Sequence, residues 1–196
     1  MVVAALSGGL WWVGGCTQST YRSPPLQLAA VADFEGTVAL DAMPVVRGSV
    51  IFGGSTLNVM SAGWVTVRIP AKGTFALWGP GRLDLNDLQT NPRFDIWEGK
   101  MMVYAALATM QVVQGSVSTT LPPGSAGFFD RTRFDDYVCI DRGTAVIDSA
   151  GHPLAVTGTG QRAFTQAVDG GEMFGAPVSW HTLADLAALV KLADQP

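Results

Sequence analysis

The chain has 196 residues, which suits one all-β domain or two small ones and is long enough to bury a core. Charged residues make up 14% and hydrophobic ones 48%, too apolar for disorder, and the 23 glycines and 11 prolines are scattered as turn punctuation. The formal charge of −4 comes without a Lys/Arg cluster, so the footprint of a nucleic-acid binder is missing and no such partner is expected. Cys16 and Cys139 form neither a CxxC pair nor a disulfide framework, and His152 and His181 stand apart, so no metal or other cofactor is expected.

Met1 to Gly15 carries no charge. It is too short to cross a bilayer as a helix, which takes about 20 apolar residues, but it matches the apolar core of a secretory signal. Val13-Gly14-Gly15-Cys16 resembles a bacterial lipobox: a branched apolar residue, two small residues, then cysteine. That resemblance implies lipid attachment at Cys16, membrane anchoring there, and a tether made of the polar stretch Thr17 to Pro25. The basic residues that open such signals are absent. The alternative is an apolar docking arm, with Trp11 and Trp12 packing and Cys16 an ordinary small residue.

From Leu26 onward strand-length segments alternate with turns. Leu26–Val31, Gly36–Leu40, Val45-Val46, Ser49–Phe52 and Thr56–Val59 come first, with Gly53-Gly54 as a turn. Trp64–Ile69 alternates most clearly, placing Val65, Val67 and Ile69 on one face and Trp64, Thr66 and Arg68 on the other. Pro70 ends it. Thr74–Trp78 and Arg82–Leu85 read as strands around a Gly79-Pro80-Gly81 turn. Arg93–Trp97 and Met101–Tyr104 flank a hairpin-like Glu98-Gly99-Lys100, and Ala105–Met110 reads as strand or irregular rather than helix. Tyr137–Ile140 and Thr144–Ile147 flank Asp141-Arg142-Gly143, then Gly151-His152-Pro153 turns the chain. Leu154–Thr157 and Gln161–Thr165 follow.

The end of the chain changes period. Ser179 or Thr182 is placed to cap a helix running to about Leu192, with Leu183, Leu186, Leu189 and Val190 on one face. Asp185 near its start and Lys191 near its end suit the helix dipole. This helix is expected to close an open end of the β body or to dock on a partner. The expected organisation is an N-terminal segment and tether at 1–25, a β domain at 26–178 and a helical end at 179–196.

One phrase occurs twice. Pro44-Val45-Val46-Arg47-Gly48-Ser49-Val50 returns as Gln111-Val112-Val113-Gln114-Gly115-Ser116-Val117, and Ser61-Ala62-Gly63-Trp64 is answered by Ser125-Ala126-Gly127-Phe128. Val67-Arg68-Ile69 with Lys72-Gly73-Thr74 parallels Val138-Cys139-Ile140 with Arg142-Gly143-Thr144. The expected fold is therefore all-β, a duplicated or rung-like β-sandwich or β-solenoid with one C-terminal α-helix.

The order of these pieces resembles the FecR domain, a β-rich module of bacterial envelope proteins. The resemblance rests on Glu35-Gly36-Thr37-Val38, on Gly53-Gly54-Ser55-Thr56-Leu57 and on Val65–Ile69 leading to Lys72-Gly73. It continues through Leu77-Trp78-Gly79-Pro80-Gly81-Arg82-Leu83-Asp84-Leu85, Ile96–Val103 and Gly160-Gln161-Arg162-Ala163. It spans roughly residues 31 to 168 and implies no catalytic residues. Nothing ahead of this stretch reads as a cytoplasmic sigma-binding region plus a membrane span, so the resemblance implies a stand-alone envelope module.

No constellation points to catalysis. Gly79-Pro80-Gly81 and Gly158-Thr159-Gly160 lack the following helix and Lys-Ser/Thr of a phosphate loop. Asp130, Asp135, Asp136 and Asp141 are the main acidic concentration, but Arg131 and Arg133 interleave with them as in a solvated loop. No Gly-x-Ser-x-Gly elbow exists. Trp64, Trp78, Trp97 and Trp180 are candidate contacts for a partner or glycan, with burial in the core as the alternative. The expectation is a non-catalytic cell-envelope protein, a periplasmic or outer-membrane lipoprotein that binds or scaffolds a protein or glycan, as an oligomer or part of an assembly. The alternative is a structural subunit of a phage particle or secretion apparatus, in a virion or secreted assembly, docking through its N-terminal arm.

Overall fold

The computed structural model describes residues 29–132, 135–149, 152–157, 162–167, 172–175 and 183–194. The strands are β1 (Ala29–Glu35), β2 (Val38–Leu40), β3 (Met43–Pro44), β4 (Val50–Ile51), β5 (Ser55–Val59), β6 (Trp64–Ile69), β7 (Gly73–Asn86) and β8 (Arg93–Ala105). Then come β9 (Met110–Gln114), β10 (Val117–Leu121), β11 (Ser125–Arg131), β12 (Asp135–Arg142), β13 (Thr144–Ser149), β14 (His152–Thr157), β15 (Arg162–Ala167) and β16 (Glu172–Gly175). Among the described residues one helix, α1 (Leu183–Ala193), follows them. The protein is all-β with one C-terminal helix.

Alternation decides which side of each strand is buried. In β6, Val65, Val67 and Ile69 are buried while Trp64, Thr66 and Arg68 are half-buried on the other side, as the period-two pattern requires. β5 and β10 repeat the scheme with Ser55, Leu57 and Val59 and with Val117, Thr119 and Leu121 turned inward. Each fully buried aliphatic or aromatic side chain contributes about 1.5–3 kcal/mol.

The two longest strands organise the rest, and here two expected turns are corrected. Gly79-Pro80-Gly81 does not reverse the chain, and neither does Glu98-Gly99-Lys100: each is a bend inside a continuous strand. β7 and β8 pair with each other on both sides of the bend, Trp78 opposite Lys100 and Arg82 opposite Glu98. Before the bend β7 pairs with β6, and after it with β5. β8 likewise pairs in parallel with β9 through Arg93–Ile96 and antiparallel with β11 through Gly99–Ala105. The ladder therefore splits into two wings. One runs through β5, β7, β8, β9, β10, β13 and β14; the other through β1, β6, β7, β8, β11, β12, β15 and β16. Gly99 makes the fold-over possible. Its φ is +108°, and a β-carbon there would lie 2.7 Å from the Gly81 Cα.

The wings enclose one core. Phe75, before the bend in β7, meets Phe94, before the bend in β8, with ring centroids 5.1 Å apart and a 56° tilt. Because those residues belong to opposite wings, the contact shows that the wings face each other. Leu57, Leu83 and Val112 from one wing join Val67, Phe129 and Ile140 from the other.

The twice-used phrase does not give one structure twice. Gln111–Val117 folds as the β9–β10 hairpin, with Gln114 opposite Val117. In the first copy Val45 and Val46 lie outside any strand, and Val50 pairs back to Ala30 of β1. The later echo diverges as well: β6 and β7 form a hairpin, whereas β12 pairs with β11 and β15 while β13 joins β10 in the other wing. The residues after β12 carry the chain across the sandwich. His152, expected in a turn, lies in β14 opposite Ser149.

α1 lies on a sheet face rather than over an open end. Leu186 and Leu189 are buried against Ala76, Met102, Tyr104, Ala126, Phe128, Tyr137 and Cys139, the outward residues of the β7–β8–β11–β12 wing, and Val190 packs beside them. Buried Thr74 donates its hydroxyl to the Leu189 carbonyl at 2.9 Å. The proposed caps, Ser179 and Thr182, lie outside the described residues.

Candidate functional site

Where α1 stops covering the wing, a cleft of about 490 Å³ opens between the helix and strands β1, β6 and β7. Its lining includes Asp33, Trp64, Thr66, Trp78, Leu189 and Lys191. The strand register explains it. Trp64 and Trp78 are directly opposed on neighbouring strands, and the next outward pair is Thr66 opposite Ala76. Two large rings followed by two small side chains leave a step in the surface, and the helix forms the far wall. Trp64 is held in place by its indole N–H, which donates to Glu35 Oε2 at 3.0 Å. Trp78 leans on Phe128, with centroids 6.3 Å apart. At the rim Asp33 takes a charge-paired contact from Arg47 at 2.6 Å and accepts the Phe34 amide at 2.9 Å.

No family model matches the chain, and no curated protein does. Two crystal structures of a "putative anti-sigma factor" from Parabacteroides distasonis ATCC 8503, at 1.65 and 2.50 Å, are similar to it. Each match has 10% sequence identity and a TM-score of 0.43, and covers 68% of this chain and 61% of that one. The match thus spans less than two thirds of the Parabacteroides chain.

The cleft sits beside an incomplete edge. β4 pairs with only Ala29 and Ala30 of β1, so among the described residues Asp33, Phe34 and Glu35 are laddered on the β6 side alone. The sequence singled out Trp64 and Trp78 and the structure brings them together. Glu35, Asp33, Leu189 and Lys191 were not singled out as site residues. Only long-range pairing places them there, although the β6 alternation had already set Trp64 outward.

Trp97 is elsewhere. It projects, 57% exposed, from the outward face of the other wing. Its indole N–H donates to Asp84 Oδ2 at 2.6 Å, and the Arg82 guanidinium lies 5.5 Å from its ring centroid. Trp180 and Cys16 lie outside the described residues, as do Trp11, Trp12 and His181.

The acidic stretch is not one solvated loop. Asp130 belongs to β11, where burial raises its pKa against the opposing pull of Lys100. Arg131 of the same strand donates to the Ile96 carbonyl at 2.8 Å and lies 3.6 Å from Asp136. Among the described residues no three His, Cys, Asp or Glu side chains gather as a metal site would need. Cys139 is fully buried beneath α1, its thiol pushed up to about 12 by burial and by neighbouring Asp141, to which it donates at 3.6 Å.

Proposed function

We propose that the chain is a non-catalytic binding module of the bacterial cell envelope that takes an extended segment of a partner protein along β1 and into the Trp64–Trp78 cleft. The observation that carries this reading is the cleft itself: two opposed tryptophans, one pinned by Glu35, face a helical wall beside the Asp33–Glu35 stretch of β1, which among the described residues pairs with β6 alone. A chain added to that edge replaces the Asp33 carboxylate as acceptor for the Phe34 amide, and every second side chain projects to the outward side where the cleft lies. Aromatic rings in a partly desolvated pocket are the usual energetic anchors of such contacts. Envelope placement rests on the lipobox-like Val13-Gly14-Gly15-Cys16 and on the FecR-like order of the strands.

Display of a random peptide library on the full chain tests the reading. The expected peptides bind saturably through an apolar or aromatic residue, and Trp64→Ala weakens them at least about tenfold, or about 1.4 kcal/mol. Failure to enrich any peptide, or affinities indifferent to Trp64→Ala, would refute it.

A further inference from the structure

We infer that the outward face of the opposite wing carries a second, separate site, centred on Trp97, for a flat, neutral glycan of β-1,4-linked pyranose units. Trp97 is the exposed large apolar side chain of β8 and is surrounded by groups that make hydrogen bonds. Thr56 of β5, Arg82, Asp84 and Asn86 of β7, and Asp95 of β8 occupy the outward positions around it. The ring is fixed before any ligand arrives. Asp84 holds its N–H at 2.6 Å and is itself held by the Thr56 hydroxyl at 2.7 Å, while the Arg82 guanidinium lies over one face of the ring. An indole already locked at one edge loses little freedom on binding.

The surrounding charges choose the ligand. Asp95 accepts from Arg93 at 2.9 Å and from Asn86 at 2.8 Å, so its charge is compensated locally. Asp84 spends one oxygen on the indole and the other on Thr56. Along β7 and β8 on either side of Trp97 stand two arginines, Arg82 and Arg93, and three carboxylates, Asp84, Asp95 and Glu98, so a phosphate or uronate gains no net attraction by approaching. A protein partner fits less well, because anchors of protein interfaces sit in well-packed, desolvated surroundings, whereas here the ring's neighbours are polar. A pyranose matches both features. Its C–H face packs on the electron-rich indole, and its hydroxyls reach the spare lone pairs of the carboxylates and the Asn86 amide. The open outward side of a sheet offers a surface rather than a socket, which favours a ribbon-like β-1,4 chain over a coiled one.

Titrating the full chain with cellotetraose and with chitotetraose, followed by calorimetry and saturation-transfer NMR, tests the assignment. Saturable binding to at least one tetrasaccharide is expected, with affinity lowered at least about tenfold by Trp97→Ala, largely kept by Trp97→Tyr and unchanged by Trp64→Ala. Asp84→Asn, which leaves the ring in place but weakens its clamp, should lower affinity severalfold. The assignment is overturned if neither tetrasaccharide binds, or if binding ignores Trp97→Ala. It is overturned equally if display-selected peptides depend on Trp97 rather than on Trp64, since the face would then belong to a protein. The two sites stand on different wings, so either can fail without the other.

Discussion

Replacing Leu189 with Ala should release α1 while leaving the sandwich folded, and Cys139 can report it. Leu189 is 2% exposed and, with Leu186, is buried between the helix and the wing. Buried Leu→Ala changes cost about 2–5 kcal/mol, and the lower half of that range applies here because the cleft beside Leu189 lets the site relax. An 11-residue helix does not hold its shape without packing, so about 2–3 kcal/mol falls on the local opening step. That raises the opening constant roughly 30- to 150-fold, at about 1.4 kcal/mol per decade. In the closed state Cys139 is protected twice, by burial and by a thiol pushed up to about 12. Once α1 lifts, the thiol returns toward its ordinary value near 8.5 and reacts as a thiolate. The assay is iodoacetamide modification at pH 8 in a Cys16→Ser background, beside a thermal melt. The modification rate should climb by the same 30- to 150-fold, with a small change in the main unfolding transition, because among the described residues the inter-wing core contains none from α1. If the rate is unchanged, or rises only as much as global unfolding does, α1 is not a separate layer and the reasoning fails.

Gly99→Ala should destabilise the whole sandwich by at least about 2 kcal/mol, visible as a lowered Tm, because φ is +108° and the new methyl meets the Gly81 Cα at 2.7 Å and the Pro80 carbonyl at 2.9 Å. Asp130 has a folded-state pKa raised by burial, so its charged form burdens the folded protein at neutral pH. Its favourable contribution is present below the unfolded value near 3.9 and is lost as pH rises through the raised folded value. Asp130→Asn should therefore be more stable than the parent in urea at pH 7, and that advantage should vanish as the pH falls below 4.

What the sequence revealed was local. Period-two runs located β5 and β6 and the direction of their side chains, because alternation is imposed by the strand itself. The leucine spacing of the last segment located α1 and its buried face for the same reason. Gly79-Pro80-Gly81 and Glu98-Gly99-Lys100 misled because glycine reports backbone freedom, and a hairpin and a sharp bend draw on the same freedom. Their cross-strand partnership separates the two, Trp78 with Lys100 and Arg82 with Glu98, and no local pattern contains it. The repeated Val-Val-x-Gly-Ser-Val phrase misled in the same way: β9 finds a parallel place beside β8, whereas Val45 and Val46 have no such neighbour, so like words take unlike structures.

The bends also explain why the two candidate sites differ in character. On one side of its bend β7 reads Thr-Phe-Ala-Leu-Trp, with Phe75, Ala76 and Leu77 all buried; on the other it reads Arg-Leu-Asp-Leu-Asn, with only the leucines buried. β8 mirrors this, alternating through Arg93–Trp97 and then running apolar through Met101–Ala105. A strand apolar on both faces must be covered twice, once by the facing wing and once by something outside, and α1 supplies the outer cover. The helix is too short to cover all of it, and Trp64 and Trp78 are left lining the uncovered part as a cleft. A strand polar on its outward face needs no cover and stays open, which is where Trp97 stands. One chemical change at each of two bends thus builds a roofed apolar cleft on one wing and an unroofed polar platform on the other.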